Sequence, residues 1–157
     1  SRARLTAEAA DRTLKLPIVT DDRLMELDGG KWEGLAWDEI AEKYPDTLEL
    51  WNKRLDLFEA PDGEKVVDVQ KRIVDAVNDI VTKNAGKTVV ITSHGCALRT
   101  YFCYAARFPL ERINDDHWAM NTSVSLIEYD EKLAPRIVFK GDVSHLDDAG
   151  IYVKRFK

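Results

Sequence analysis

The chain has 157 residues, of which 45% are hydrophobic and 32% are charged. This length and composition suit one globular domain and exclude a disordered chain. The net charge is −5, so no overall attraction to nucleic acid or to an anionic membrane surface is expected. No apolar run approaches the roughly 20 residues of a membrane span, and the first residues do not resemble a signal peptide. Cys96 and Cys103 predict neither a disulfide nor a metal site, which favours a reducing, cytoplasmic location.

Apolar residues at helical spacing predict the first half of the chain to be mostly helical. Residues 2–14 are predicted to form an amphipathic helix that ends before Pro17. Ile18–Thr20 is a short strand candidate, and a glycine-rich loop follows it. Three further helices are predicted, at residues 37–44, 48–55 and 66 to about 84, with a turn at residues 60–63 between the last two.

The second half begins with an unbroken β-branched and apolar run at residues 88–92. Such a run is typical of a strand buried on both faces of a parallel sheet. It leads into Ser93-His94-Gly95 and a further helix. Residues 123–129, where Val124, Leu126 and Tyr129 alternate with polar neighbours, and residues 137–139 predict an antiparallel pair at a sheet edge. Helices alternating with strands indicate the α/β class, although only one central strand is visible.

His94 is the strongest candidate for a functional residue. It follows a predicted buried strand directly, and ligands of open α/β sheets bind at the carboxyl ends of the strands. A hydrogen-bonded structural histidine is the alternative interpretation. Glu26 precedes a segment rich in glycine and tryptophan, where an apolar wall would favour a protonated carboxyl and thus a general acid. A solvated loop carboxylate is the alternative for Glu26.

Other polar and aromatic residues are weaker candidates. Arg2 could bind a phosphate through its forked donors, or be an exposed helix cation. Arg99 is as well suited to pairing with a carboxylate as to contacting a ligand. Trp118 and Asn121 could line the same crevice or simply pack. His117 and His145, two exposed or capping residues by this interpretation, have no partners at metal-ligand spacing, and the sequence contains no P-loop, dinucleotide-binding or serine-elbow motif.

Together these segments resemble the histidine phosphatase superfamily, the phosphoglycerate mutase-like proteins. The resemblance covers nearly the whole chain and keeps the family's motif order. The matching segments are S-R-A-R-L-T-A-E at 1–8, L-M-E at 24–26 with G-K-W-E-G at 30–34, D-G-E at 62–64 with V-Q-K-R at 69–72, S-H-G-C-A-L-R at 93–99, and N-T-S at 121–123 with S-H-L at 144–146. Lys65 stands where the family usually has serine. The resemblance implies a three-layer fold: an open, mostly parallel sheet with helices on both faces and an antiparallel edge.

One family motif has no counterpart in residues 1–157. The family opens with a central strand that ends in R-H-G, and the histidine of that motif is the nucleophile. We therefore expect residues 1–157 to be a single domain that is incomplete at its N-terminus. The segment that we expect to be missing has about 30 residues or more, the size of a βαβ unit, and would include the first central strand.

The resemblance implies phosphomonoester hydrolysis through a phosphohistidine, with no metal and no cofactor. His94 and Arg2 would bind the phosphoryl group, Glu26 would donate the proton, and Trp118 and Asn121 would line the pocket of a small phosphorylated substrate. A phosphoglycerate mutase is the first alternative. A non-catalytic phosphoester-binding or interaction protein is the second alternative. It is physically unfavourable because residues 88–92 would then expose an apolar sheet edge, which promotes aggregation. A homo-oligomer or the missing N-terminal segment is the expected protein partner.

Overall fold

Helices dominate residues 2–148, the part of the chain that this computed structural model describes. The helices predicted from periodicity are confirmed, as is the antiparallel pair. Pro45 begins a helix, as suits a residue with no N–H to donate. The bounds are α1 Arg2–Leu14, α2 Trp37–Lys43, α3 Pro45–Lys53, α4 Val66–Lys83, α5 Gly95–Ala105, β1 Val124–Tyr129, β2 Pro135–Asp142 and α6 Ser144–Asp148, with 3₁₀ turns at Asp22–Leu24, Gly30–Trp32, Leu55–Leu57 and Leu110–Asp115.

The core forms where α4 packs against α5. The buried face of α4 repeats at helical spacing, and the Gln70 side chain crosses to α5, donating to the Thr100 carbonyl at 3.0 Å. Three almost completely buried residues close the core. They are Leu55 and Ile113, which lie in 3₁₀ turns, and Phe58, which directly follows the turn Leu55–Leu57. The buried residues of α4 are Val66, Val69, Ile73, Ala76 and Val77. This helix pair is the rigid base from which the loops of the site extend.

The hairpin of β1 and β2 has an irregular register. The strands pair antiparallel, but two register shifts interrupt the ladder between Val124 and Ile127. Val124 is 53% exposed and Leu126 also points outward, whereas Ser125, Ile127 and Tyr129 are half-buried. The more buried face of β1 is therefore that of Ser125, Ile127 and Tyr129. A one-residue shift moves every side chain of a strand to the other face, and such irregularities cannot be read from alternation alone.

The segment 88–92 is not a strand buried on both faces. Within residues 2–148 it belongs to no ladder, and Val90 is 63% exposed. Ile18–Thr20 is also unpaired in this part of the chain, with Val19 84% exposed. Both strand predictions were wrong here because an apolar run becomes a buried strand only when neighbouring strands and helices cover it. The described residues thus form a mixed α/β fold whose paired strands are those of the hairpin.

Candidate active site

His94 lies at the start of α5, directly after the irregular segment 88–93. His94 is the N-cap residue, with extended backbone and a carbonyl that accepts from the Leu98 N–H at 2.9 Å. Its side chain is half-buried and makes no capping hydrogen bond to the helix. The preceding Ser93 hydroxyl donates to the Leu24 carbonyl at 2.7 Å, which ties this segment to the loop that carries Glu26.

The Glu26 carboxylate accepts hydrogen bonds from the backbone amides of the first turn of α5. Its Oε2 accepts from the Cys96 N–H at 3.1 Å, and its Oε1 accepts from the Ala97 N–H at 3.1 Å and from the Leu27 N–H at 2.9 Å. A carboxylate is favourable here because the amides at a helix N-terminus lack intrahelical partners and carry a partial positive charge. The structure therefore brings Glu26 and His94 to the same end of one helix.

The apolar wall predicted for Glu26 is built differently from the expectation. Trp32, from the glycine-rich segment, is buried against Phe58 and Trp51, with ring centroids 4.9 Å and 5.9 Å away. Trp118 is the aromatic residue near Glu26. A Cβ placed on Gly95 would lie 3.6 Å from the Trp118 ring and 3.8 Å from Glu26 Oε2, so the two flank Gly95.

Arg99 holds the loop that presents Trp118. The Arg99 side chain is buried, and its Nη2 donates to the Ile113 carbonyl at 2.8 Å and to the Asp116 carbonyl at 2.7 Å. Its Cζ lies 4.4 Å from the centroid of the Trp118 ring, within the range of a cation–π interaction. Burial lowers the pKa of Arg99 below its usual value. Arg99 thus stabilises the loop that places Trp118 beside the candidate site.

Trp118 itself is 43% exposed and stacks on Trp51, with ring centroids 5.6 Å apart and planes inclined by 27°. Asn121 lies three residues further on, in an exposed turn before β1. The structure therefore brings Trp118 to the start of α5, and among the described residues it shows no contact of Asn121 there. His117 and His145 are both exposed.

Arg2 is connected to the site through its neighbour. The Thr92 hydroxyl donates to the Ala3 carbonyl at 2.9 Å, which seats the first turn of α1 beside the residues that lead to His94. The Arg2 side chain is exposed. Arg2 thus precedes a residue that is tied to the segment leading to His94.

Arg72 was not predicted as a site residue, yet it holds the Glu26 loop. Its guanidinium reaches from α4 to the backbone carbonyls of Arg23, Met25 and Glu26, and it pairs with Glu64. The available signal was the family-like motif that places Glu64 eight residues before Arg72. Contacts with backbone carbonyls 46 to 49 residues away leave no trace in a local pattern.

Comparison with known proteins agrees with these features. A family model described as the histidine phosphatase superfamily (branch 1) matches residues 1–142. The chain belongs to the histidine phosphatase superfamily. The solved structure of YhfR from Bacillus stearothermophilus superposes with a TM-score of 0.88 at 35% identity, over 93% of this chain and 72% of that chain.

Two curated relatives of this superfamily member are named as phosphatases. Phosphoserine phosphatase 1 of Hydrogenobacter thermophilus is 28% identical over 134 residues, 83% of this chain and 62% of that protein. A protein of Arabidopsis thaliana named metal-independent phosphoserine phosphatase is 29% identical over 158 residues, 99% of this chain and 63% of that protein. The chain thus spans less than two thirds of the length of either relative. Within residues 2–148, no helix is long and apolar enough to cross a membrane.

Proposed function

We propose that the protein is a phosphomonoester hydrolase that works through a phosphohistidine, with a nucleophilic histidine supplied from outside residues 1–157. One observation carries the proposal: Glu26 and His94, which are 68 positions apart, meet at the N-terminal end of α5. Helix N-termini favour anions, and here the amides of Cys96 and Ala97 hold the Glu26 carboxylate. The superfamily membership supplies the reaction class.

We place the nucleophile outside residues 1–157 because the R-H-G motif of the family has no counterpart among them. The chain has three histidines, and two of them, His117 and His145, are exposed. The third, His94, matches the family's second histidine motif. The uncovered segment 88–92 supports the same view, since a strand added beside it would bury Val89 and Val90. We propose that this strand completes a parallel sheet between two helical layers and ends in the nucleophile.

In the proposed reaction, a histidine nitrogen attacks phosphorus and the bond from phosphorus to the ester oxygen breaks. His94 and Arg2 stabilise the charge on the equatorial oxygens, which is the main form of catalysis in phosphoryl transfer. Glu26 gives its proton to the leaving alkoxide. In the second half, water attacks the phosphohistidine, Glu26 takes a proton from that water, and phosphate is released.

The hydrogen bonds of Glu26 indicate which of its oxygens moves the proton. A carboxylate oxygen has about two lone-pair positions. Oε1 already accepts from the Leu27 and Ala97 amides, whereas Oε2 accepts from the Cys96 amide. Oε2 therefore keeps a position for the proton, and it is the oxygen near Gly95, opposite the Trp118 ring. We propose that the leaving group lies there, with Trp118 and Asn121 on the wall of its pocket.

The test is acid-labile labelling and turnover by the full-length protein. We expect a phosphodonor to label a histidine and small phosphomonoesters to release phosphate. His94→Ala should abolish turnover, whereas the matched variant His145→Ala, at an exposed residue of α6, should keep it. Transfer of phosphate to a second position of the substrate would instead identify a mutase. Ester binding with neither label nor turnover would identify a non-catalytic phosphoester-binding protein.

A further inference from the structure

The Arg72 guanidinium uses all five of its N–H groups. Nε donates to Glu64 Oε1 at 2.7 Å, and Nη2 donates to Glu64 Oε2 at 2.9 Å and to the Glu26 carbonyl at 3.0 Å. Nη1 donates to the Arg23 carbonyl at 2.8 Å and to the Met25 carbonyl at 2.7 Å. A guanidinium has five donors, so none is left for a substrate.

The three carbonyls belong to irregular backbone. The 3₁₀ turn Asp22–Leu24 ends just before Glu26, and residues 26–29 have no regular structure. Such a segment has no ladder of its own to fix it, so a planar fork that binds three carbonyls at once sets its path. Arg72 comes from the middle of α4, and the two-point pair with Glu64 fixes the plane of the guanidinium.

Glu26 is therefore fastened from two sides. Arg72, on α4, holds its main chain, and the amides of Cys96 and Ala97, on α5, hold its carboxylate. α4 and α5 pack against each other in the core, so their relative position is fixed. A carboxyl that donates a proton must be placed to within a few tenths of an ångström, and this arrangement provides that placement.

We propose that Arg72 is a positioning residue for proton transfer by Glu26. The inference rests on the proposed function in one respect, the role of Glu26 as proton donor. Arg72 touches neither substrate nor reacting atoms. Its loss should act through Glu26 alone and should matter most where the leaving group needs a proton.

The test compares Arg72→Lys with Lys71→Gln in the full-length protein. The lysine keeps the charge but cannot span Glu64 and three carbonyls, whereas Lys71 is exposed on the same turn of α4. Each variant is assayed with an alkyl phosphomonoester, a poor leaving group, and with nitrophenyl phosphate, a good one. Hydrogen exchange of the Cys96 and Ala97 amides is measured in parallel, and this second readout does not depend on turnover.

We expect Arg72→Lys to slow the alkyl ester about 10- to 100-fold, part of the roughly 10²–10⁴-fold that a general acid supplies. Nitrophenyl phosphate should change less than about threefold, since it needs little help from an acid. Exchange of both amides should become faster, and adding Glu26→Gln should slow the alkyl ester no further than Glu26→Gln alone, because the two residues act as one unit. Lys71→Gln should match the parent in every measurement.

Equal slowing of both esters, or unchanged exchange at Cys96 and Ala97, would overturn the proposal. A parent protein that hydrolyses neither ester would refute the proposed function instead. In that case the exchange data still decide whether Arg72 holds Glu26 on α5.

Discussion

Gly30 offers a stringent test of how the loop of Glu26 is built. Its φ is +51°, and a Cβ there would lie 2.2 Å from the Pro61 carbonyl oxygen and 2.6 Å from the Gly63 nitrogen. Both contacts are with backbone, which cannot rotate away. Gly34 has a similar φ of +80°, but nothing lies within 4 Å of its missing Cβ. Alanine at either position has the same strain of a left-handed backbone, but only at Gly30 does it also collide.

The magnitudes follow from these two contributions. The left-handed conformation costs an alanine about 1–2 kcal/mol, which is the whole expected loss for Gly34→Ala. The collision at Gly30 adds about 1–3 kcal/mol, typical of overpacking, so Gly30→Ala should lose about 2–5 kcal/mol. The tight contact includes the hydrogen bond from the Lys31 N–H to the Pro61 carbonyl, 2.8 Å long, which the alanine would stretch.

The assay is urea unfolding of the parent and both variants, followed by circular dichroism. The free energies of unfolding are compared at equal m-values, so that a changed denatured state does not enter the difference. If Gly30→Ala and Gly34→Ala lose stability within about 0.5 kcal/mol of each other, the contact between residue 30 and the turn at 61–63 does not exist as described and the reasoning fails.

Three further outcomes are expected. Burial, together with the Glu26 charge, raises the pKa of Cys96 to about 12, so its thiol should resist iodoacetamide at pH 8 until the protein is unfolded; rapid native labelling in a mass spectrum would contradict this. Ile73→Ala, at a fully buried position of α4, should lower the free energy of unfolding by about 2–5 kcal/mol in urea, whereas Val67→Ala, on the exposed face, should change it by less than about 0.5 kcal/mol. The hydrogen bond from Arg23 lowers the pKa of Asp21 below 3.8. This carboxylate should therefore stabilise the fold above about pH 4 and lose that effect as the pH falls through its pKa in the folded protein. If the stability difference between the parent and Asp21→Asn grew on acidification, the effect would have the opposite sign.

The helices could be predicted because their signal is local. α4 repeats apolar residues at helical spacing over 18 residues, and the same periodicity fixes its buried face. The place of His94 at the start of α5 could be predicted for a related reason, since the apolar run that precedes it ends where α5 begins. The strand predicted at residues 88–92 is not formed within residues 2–148, because its pairing and burial depend on strands that the run itself does not contain.

The placement of Glu26 could not be derived in this way. Its partners Cys96 and Ala97 lie 70 and 71 residues further along the chain, and Arg72 lies 46 residues away. Backbone amides are present at every position, so no residue type marks the ones that bind a distant carboxylate. The resemblance to a family singled out Glu26, whereas the capping of α5 by its side chain became visible only in three dimensions.

The four tryptophans of the chain form one connected aromatic group. Trp32 contacts Trp37 and Trp51, and Trp51 stacks on Trp118, with all ring centroids 5.6–6.3 Å apart. Excitation energy absorbed by any of these indoles can pass to its neighbours, so their emission reports on one place in the molecule. Trp118 is the member beside Glu26 and Gly95. Tryptophan fluorescence should therefore sense what enters the candidate site.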